Sequence, residues 1–224
     1  MSDSKPVLVI DTAMDGCGVA VFDPARDVLR EAYSDEPQGQ AQKIVPLVQD
    51  VVEQAGLSFD DIGSIVVCHG PGTFTGIRIG LSAAKALGLV VDVPVYGISS
   101  LQALAITASV QGEKNEMQVI VETRRQDFYV QAFTCDAQAI TESASVFAGD
   151  IDIQGRVLVG NAIDRFDPDE QYQRSDVRKI NVAQVARSFT SGDNAFFVSD
   201  VFPIYLRAPD VSQPKVAPRI LAKH

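Results

Sequence analysis

Gly70-Pro-Gly-Thr-Phe-Thr-Gly-Ile-Arg-Ile-Gly80 is the stretch on which the reading of this 224-residue chain turns. It follows Ser64–Cys68, a run of β-formers, and opens a helical pattern reaching about Leu89. Small residues recur at every fourth position: Gly72, Gly76, Gly80, Ala84 and Gly88. An interior helical glycine costs about 1 kcal/mol relative to alanine, so a helix carrying several needs an offsetting gain. Backbone N–H groups at the strand–helix turn can approach an anion, with Gly70 and Gly72 as candidate phosphate contacts. A stripe without side chains can also let a partner's helix pack closely. Alternatively, the stripe seats the helix on its own sheet. Spacing alone leaves these readings open. The loop lacks the Lys-Ser/Thr ending of a P-loop, which excludes a Walker-type NTPase.

Upstream, Val7–Ile10 is an all-apolar run that reads as a strand buried on both faces, ending at Asp11-Thr12-Ala13. Turns at Asp15-Gly16 and Asp23-Pro24 separate it from strands at Cys17–Phe22 and Val28–Tyr33, an antiparallel meander. Pro37 opens a helical stretch to Ala55. There Ile44, Val45, Val48, Val51 and Val52 recur at helical spacing, Pro46 predicts a kink, and Gly56 stands at the C-terminal cap. Downstream, Pro94–Ile98 is a fifth strand, and Ser99-Ser100 caps a helix over Leu101–Val110. The polar segment Gln111–Asn115 is the expected domain boundary. Beyond it come strands at Met117–Glu122, Phe128–Thr134, Ala139–Phe147 and Arg156–Gly160, and a helix at Val182–Phe189. Arg124 and Arg125 fall at a hairpin tip and are expected to be solvated. The organisation predicted is an α/β lobe over 1–110, a second over 111–206, and a basic, proline-containing, mobile tail over 207–224.

The charge is −10, with no Trp and 46% hydrophobic residues, a composition suited to a globular core. Residues 1–110 carry 6 basic and 13 acidic side chains, residues 111–206 carry 9 and 15, and the last 18 carry 4 and 1. Such a chain is a poor unaided binder of a polyanion, because affinity for nucleic acid rests largely on phosphate neutralisation. The polar, acidic start does not read as a signal peptide, and apolar runs such as Ala86–Val91 fall short of a membrane span. Cys17, Cys68 and Cys135 read as reduced thiols, which fits a cytoplasmic protein. With His69 and His224 the only histidines, no metal-ligand spacing is present. His69, beside Gly70, reads as structural, since no nucleophile–base–orienter set accompanies it. A peptidase therefore ranks last.

The 70–80 segment resembles the Gly-Pro-Gly-Ser/Thr-Phe-Thr-Gly-hydrophobic-Arg-hydrophobic-Gly signature of the TsaB family, dimerisation subunits of the bacterial tRNA threonylcarbamoyladenosine machinery. Asp11-Thr12-Ala13 is similar to that family's opening, Ile44-Val45-Pro46-Leu47 to its Leu-Leu-Pro helix, and Pro203-Ile-Tyr-Leu-Arg207 to its C-terminal motif. Glu122-Thr-Arg-Arg-Gln-Asp-Phe-Tyr129 resembles a drifted form of its hairpin, without the glycine. Gln40 stands where the family commonly has His.

The resemblance implies an actin/Hsp70-like (ASKHA, ribonuclease H-like) fold of two lobes, the second reduced. It also implies a non-catalytic subunit that docks on a TsaD-like threonylcarbamoyltransferase. A TsaE-like ATPase would be reached through the complex, tRNA would be held mainly by the partner, and the chain alone would form a homodimer. The expected interface is Gly72, Thr73, Phe74, Thr75, Gly76, Ile77, Arg78, Gly80, Leu81 and Ala84, with Ile44 and Val48 from the preceding helix. Asp11, Thr12, Gly70 and Gly72 are the candidate nucleotide contacts, with nucleotide expected only at the partner interface and no metal or other cofactor. Ala13 replaces the glycine usual in the superfamily's first phosphate hairpin, and the 38–43 stretch lacks metal ligands. The alternative reading is an ASKHA small-molecule kinase, with Asp11 for metal and the 70–76 loop for phosphate.

Overall fold

A computed structural model of the chain describes residues 5–36, 38–123, 125–153, 155–166, 172–192 and 194–207. Pro37, Arg124 and the tail from 208 onward lie outside these residues. Val7–Asp11 (β1) is buried along its whole length, as a continuous apolar run predicts. It pairs antiparallel with Cys17–Asp23 (β2), which pairs antiparallel with Val28–Ser34 (β3). On its other side β1 runs parallel to Ser64–Cys68 (β4), and β4 runs parallel to Val95–Ile98 (β5). The sheet order is β3-β2-β1-β4-β5.

Gln40–Gln54 (α1) follows the meander and continues through Pro46, which is exposed. Its end is a Schellman cap. Gly56, at φ 64°, donates to Glu53, and Leu57 donates back to Val52. Phe74–Val91 (α2) crosses from β4 to β5, with Thr73 as N-cap accepting from the Gly76 amide. Ser100–Val110 (α3) is capped by the Ser99 hydroxyl.

The second sheet has the order β8-β7-β6-β9, built from Met117–Glu122 (β6), Asp127–Phe133 (β7), Ala144–Phe147 (β8) and Val157–Val159 (β9). Three antiparallel strands with a fourth parallel to the first repeat the β3-β2-β1-β4 pattern, one strand short. The strand expected over Ala139–Phe147 begins only at Ala144. Ahead of it, Thr141 bonds to Gln131 and Ala132 and leaves Ala139 a single bridge. Ile163–Phe166 (α4) is one short turn of helix.

Val182–Thr190 (α5) does not stay with the second sheet: it packs on β1 and β2, while α1 covers the opposite face of β2. Helix α3 is buried nearly all round, touching α5 on one side and β6, β7 and β9 on the other. One core therefore runs from the first sheet through α5 and α3 into the second. The architecture is the two-lobed actin/Hsp70-like α/β fold with a reduced second sheet.

Candidate functional site

The small-residue stripe of α2 faces inward. A Cβ at Gly76 would collide with the Thr12 carbonyl, and one at Gly80 would lie 2.5 Å from the Thr12 hydroxyl oxygen. Thr12 uses that hydroxyl to donate to the Gly76 carbonyl at 2.6 Å. Ala84 is fully buried, as is Ile77. Of the three readings of the stripe, seating on the chain's own sheet is the one realised. This corrects direct partner contact for Gly76, Ile77, Gly80, Leu81, Ala84 and Val48: all are buried within this chain. Gly72 is half-buried, closed off by the Ala13 carbonyl. By length and composition α2 is apolar enough to cross a membrane, but this seated face lies on β4 and β1.

The opposite face carries Phe74, Thr75, Arg78 and Ser82, all exposed, with Ile79 and Ala83 half-buried. Together with Ala41, Ile44 and Val45 of α1 these residues line a groove of about 530 Å³. Val45 is 47% exposed and Phe74 51%, so the groove presents large apolar side chains to solvent side by side. The Arg78 guanidinium lies 3.7 Å from the centre of the Phe74 ring, and its Nε donates to the Tyr205 hydroxyl at 3.1 Å. The Tyr205 ring stacks on Phe74. Thr73 is committed to capping the helix.

The turn after β1 lies beside the loop before α2. Asp11 accepts from the Ala13 amide at 2.9 Å, and the Cys68 thiol donates to it. Burial pushes its carboxyl up to about 6, with both hydrogen bonds opposing the shift. The Thr73 amide donates to the Ala13 carbonyl. Gln40 reaches in from α1 and donates through Nε2 to the carbonyls of Met14 and Gly16, at 3.2 and 2.7 Å. Gly70, at φ 104°, precedes a cis peptide bond to Pro71. Between these loops and the second sheet lies a cavity of about 10 Å³, lined by Met14, Asp15, Gly72, Thr73, Glu122 and Asn161 among others. That is room for about one water, whereas small-molecule sites span roughly 300–1,000 Å³. His69 donates from Nδ1 to the Phe202 carbonyl at 2.6 Å, and burial holds its ring below the usual histidine range. Among the described residues no three His, Cys, Asp or Glu side chains gather as a metal site would require.

The structure thus brings Asp11, Thr12, Gly72, Thr73 and Gly76 into one loop cluster, sets Gly70 against Ile77 and Ile204, and puts Phe74, Thr75 and Arg78 on a different face. Sequence reasoning missed Tyr205 as the neighbour of Phe74 and Arg78, and missed what Gln40 holds. The Pro203–Arg207 motif was visible as a motif, but nothing local told where it docks.

The family model described as "TsaD: tRNA N6-adenosine threonylcarbamoyltransferase" matches residues 38–204. The tRNA threonylcarbamoyladenosine biosynthesis protein TsaB of Escherichia coli (strain K12) is 31% identical over 134 residues, covering 60% of this chain and 57% of that protein. The chain thus spans little more than half the length of that relative. An uncharacterized protein of Mycobacterium tuberculosis (strain H37Rv) is 31% identical over 159 residues, covering 70% of this chain and 72% of that one. Among solved structures, YeaZ from Pseudomonas aeruginosa superposes with a TM-score of 0.77 at 20% identity, covering 91% of this chain and 100% of that one, a likeness of fold. The chain belongs to the tRNA N6-adenosine threonylcarbamoyltransferase family, as a TsaB/YeaZ-like member of it.

Proposed function

We propose that this chain is a non-catalytic subunit of tRNA threonylcarbamoyladenosine synthesis, docking on and activating a TsaD-like threonylcarbamoyltransferase through the α1–α2 groove. The observation that carries the reading is the groove itself: a concave surface with exposed Phe74 and Val45 and a single cation, Arg78, at its end. Large apolar side chains and arginine are the residue types that dominate binding energy at interfaces. A non-catalytic role is supported by Asp11, whose carboxyl is buried and used in its own turn. In this reading nucleotide is held only where the partner completes the site, and the tRNA is gripped mainly by the partner, as the charge of −10 favours. A TsaE-like ATPase is reached through the complex. Alone, two copies cover each other's grooves.

The test is calorimetry of the full chain with the TsaD-like chain of the same organism. Val45→Asp puts a charge in the groove without touching the core. Wild-type binding with a loss of about tenfold or more in the variant, at unchanged melting temperature, is expected. Equal binding of the variant overturns the assignment of this face, and no binding of the wild type overturns the reading as a whole. The kinase alternative predicts tight Mg-ATP binding and turnover by the isolated chain, which the same instrument measures.

A further inference from the structure

The segment around Pro203-Ile-Tyr-Leu-Arg207 lies along both sheets. At its start Val198 exchanges backbone hydrogen bonds with Gly97, at 2.8 and 3.0 Å, and covers the edge of β5. Val201 is buried. His69 then holds the segment twice: its Nδ1 donates to Phe202, and its carbonyl accepts from the Ile204 amide at 2.8 Å. Tyr205 stacks on Phe74, ring centres 5.4 Å apart, and accepts from Arg78. Finally Arg207 donates to Asp127 at 3.0 Å. Asp127 belongs to β7 in the second sheet, is buried, and also accepts from Ser145 and Thr123, which hold its carboxyl below the usual range. Tyr205 stands two residues from Arg207, so the residue that orders the end of the groove is tied to the far sheet by an ion pair whose carboxylate is fixed on three sides.

We propose that Pro203–Arg207 is a clasp for the docking face, with Tyr205 the positioning residue for Phe74 and Arg78, and Arg207 the residue that anchors Tyr205 to the second sheet. The proposal rests on the docking reading above for its partner, but not for its geometry. Phe74 and Arg78 are long, exposed side chains one turn apart at the start of α2. Free, each would populate several rotamers and lose that freedom on binding. Held between Tyr205 and each other, they meet a partner already in one arrangement. The partner surface this fits has an apolar stripe for Val45, Ile79 and Phe74 and a carboxylate for the remaining donors of Arg78.

Four variants of the full chain test it: Tyr205→Phe, Tyr205→Ala, Arg207→Ala and Arg207→Lys. Two measurements are made, affinity for the TsaD-like chain and the solvent-exchange rate of the Arg78 Nε–H proton in the isolated chain by NMR. Tyr205→Ala is expected to weaken binding about tenfold and Arg207→Ala severalfold, with Arg207→Lys near wild type because the pair with Asp127 survives. Arg78 Nε–H exchange is expected to speed up in Tyr205→Phe, which keeps the ring and removes the acceptor, and in Arg207→Ala. Binding within twofold of wild type for both alanine variants overturns the clasp while leaving the docking reading intact. If the wild type binds no partner, the docking reading fails. The clasp then stands or falls on the isolated chain: exchange unchanged in Tyr205→Phe and Arg207→Ala overturns it.

Discussion

The Thr12 hydroxyl donates to the Gly76 carbonyl at 2.6 Å, joining the turn after β1 to the first turn of α2. That contact needs a backbone approach which no side chain at 76 or 80 permits. Gly76→Ala is therefore expected to destabilise the chain by roughly 1–3 kcal/mol, and Gly80→Leu by enough to prevent folding. Urea denaturation measures the first and solubility with circular dichroism the second. A stable, folded Gly80→Leu chain would contradict the inward seating of the stripe.

Gln40 is buried and its amide nitrogen serves two carbonyls of the β1–β2 turn. Gln40→Ala leaves both without a donor, and a loss of about 1–3 kcal/mol is expected. Gln40→His, which restores the family's usual residue, offers a ring nitrogen to one carbonyl at most in each tautomer and should recover part of that loss. The same denaturation series reads both.

Asp11 gives a pH dependence of defined sign. Its folded pKa, about 6, lies above the unfolded value of 3.8, so the folded chain binds the proton more tightly. This group therefore favours folding most below pH 4, and that advantage fades as pH rises through 6. Asp11→Asn keeps an acceptor for the Ala13 amide and removes the buried charge. It is expected to be more stable than wild type at pH 7.5 by about 1–3 kcal/mol, with the difference shrinking toward pH 4. A constant difference across that range would place the carboxylate in a more solvated setting than the structure gives it.

Lys85 lies over the Phe202 ring, 5.3 Å from its centre, on the exposed flank of α2 beyond the groove. Lys85→Ala is expected to change stability by no more than about 0.5–1 kcal/mol, the scale of an exposed cation–π pair, and to leave partner affinity within twofold. A large loss of affinity would extend the docking face to this end of α2.

Much of the first sheet was legible because its signals are local. The apolar run of β1, the turn residues of the meander, the Gly56 cap and the Ser99 cap each act within a few residues. The direction of the glycine stripe was not legible. Small residues at every fourth position look the same whether they meet a sheet or a foreign helix. Moreover, α2 is apolar on its outer side too, at Ile79, Ala83, Leu89 and Val90, so amphipathicity could not tell the faces apart. Nor could local pattern show that His69 meets Phe202 or that Tyr205 meets Phe74, since both pairings join distant parts of the chain. The destination of α5 was hidden for the same reason: its periodicity gives a helix with one apolar face and says nothing about which sheet receives it.

That destination bears on how the protein is made. On the ribosome, β1 and β2 emerge well before α5, so the face they turn toward it stays uncovered until residues 182–190 follow. Nascent chains hold such a sheet wet and exposed, which invites association with neighbours and calls for chaperone cover. A chain stopped at residue 110 would carry the complete first sheet and still be expected to aggregate, because the helix that closes it is encoded far downstream.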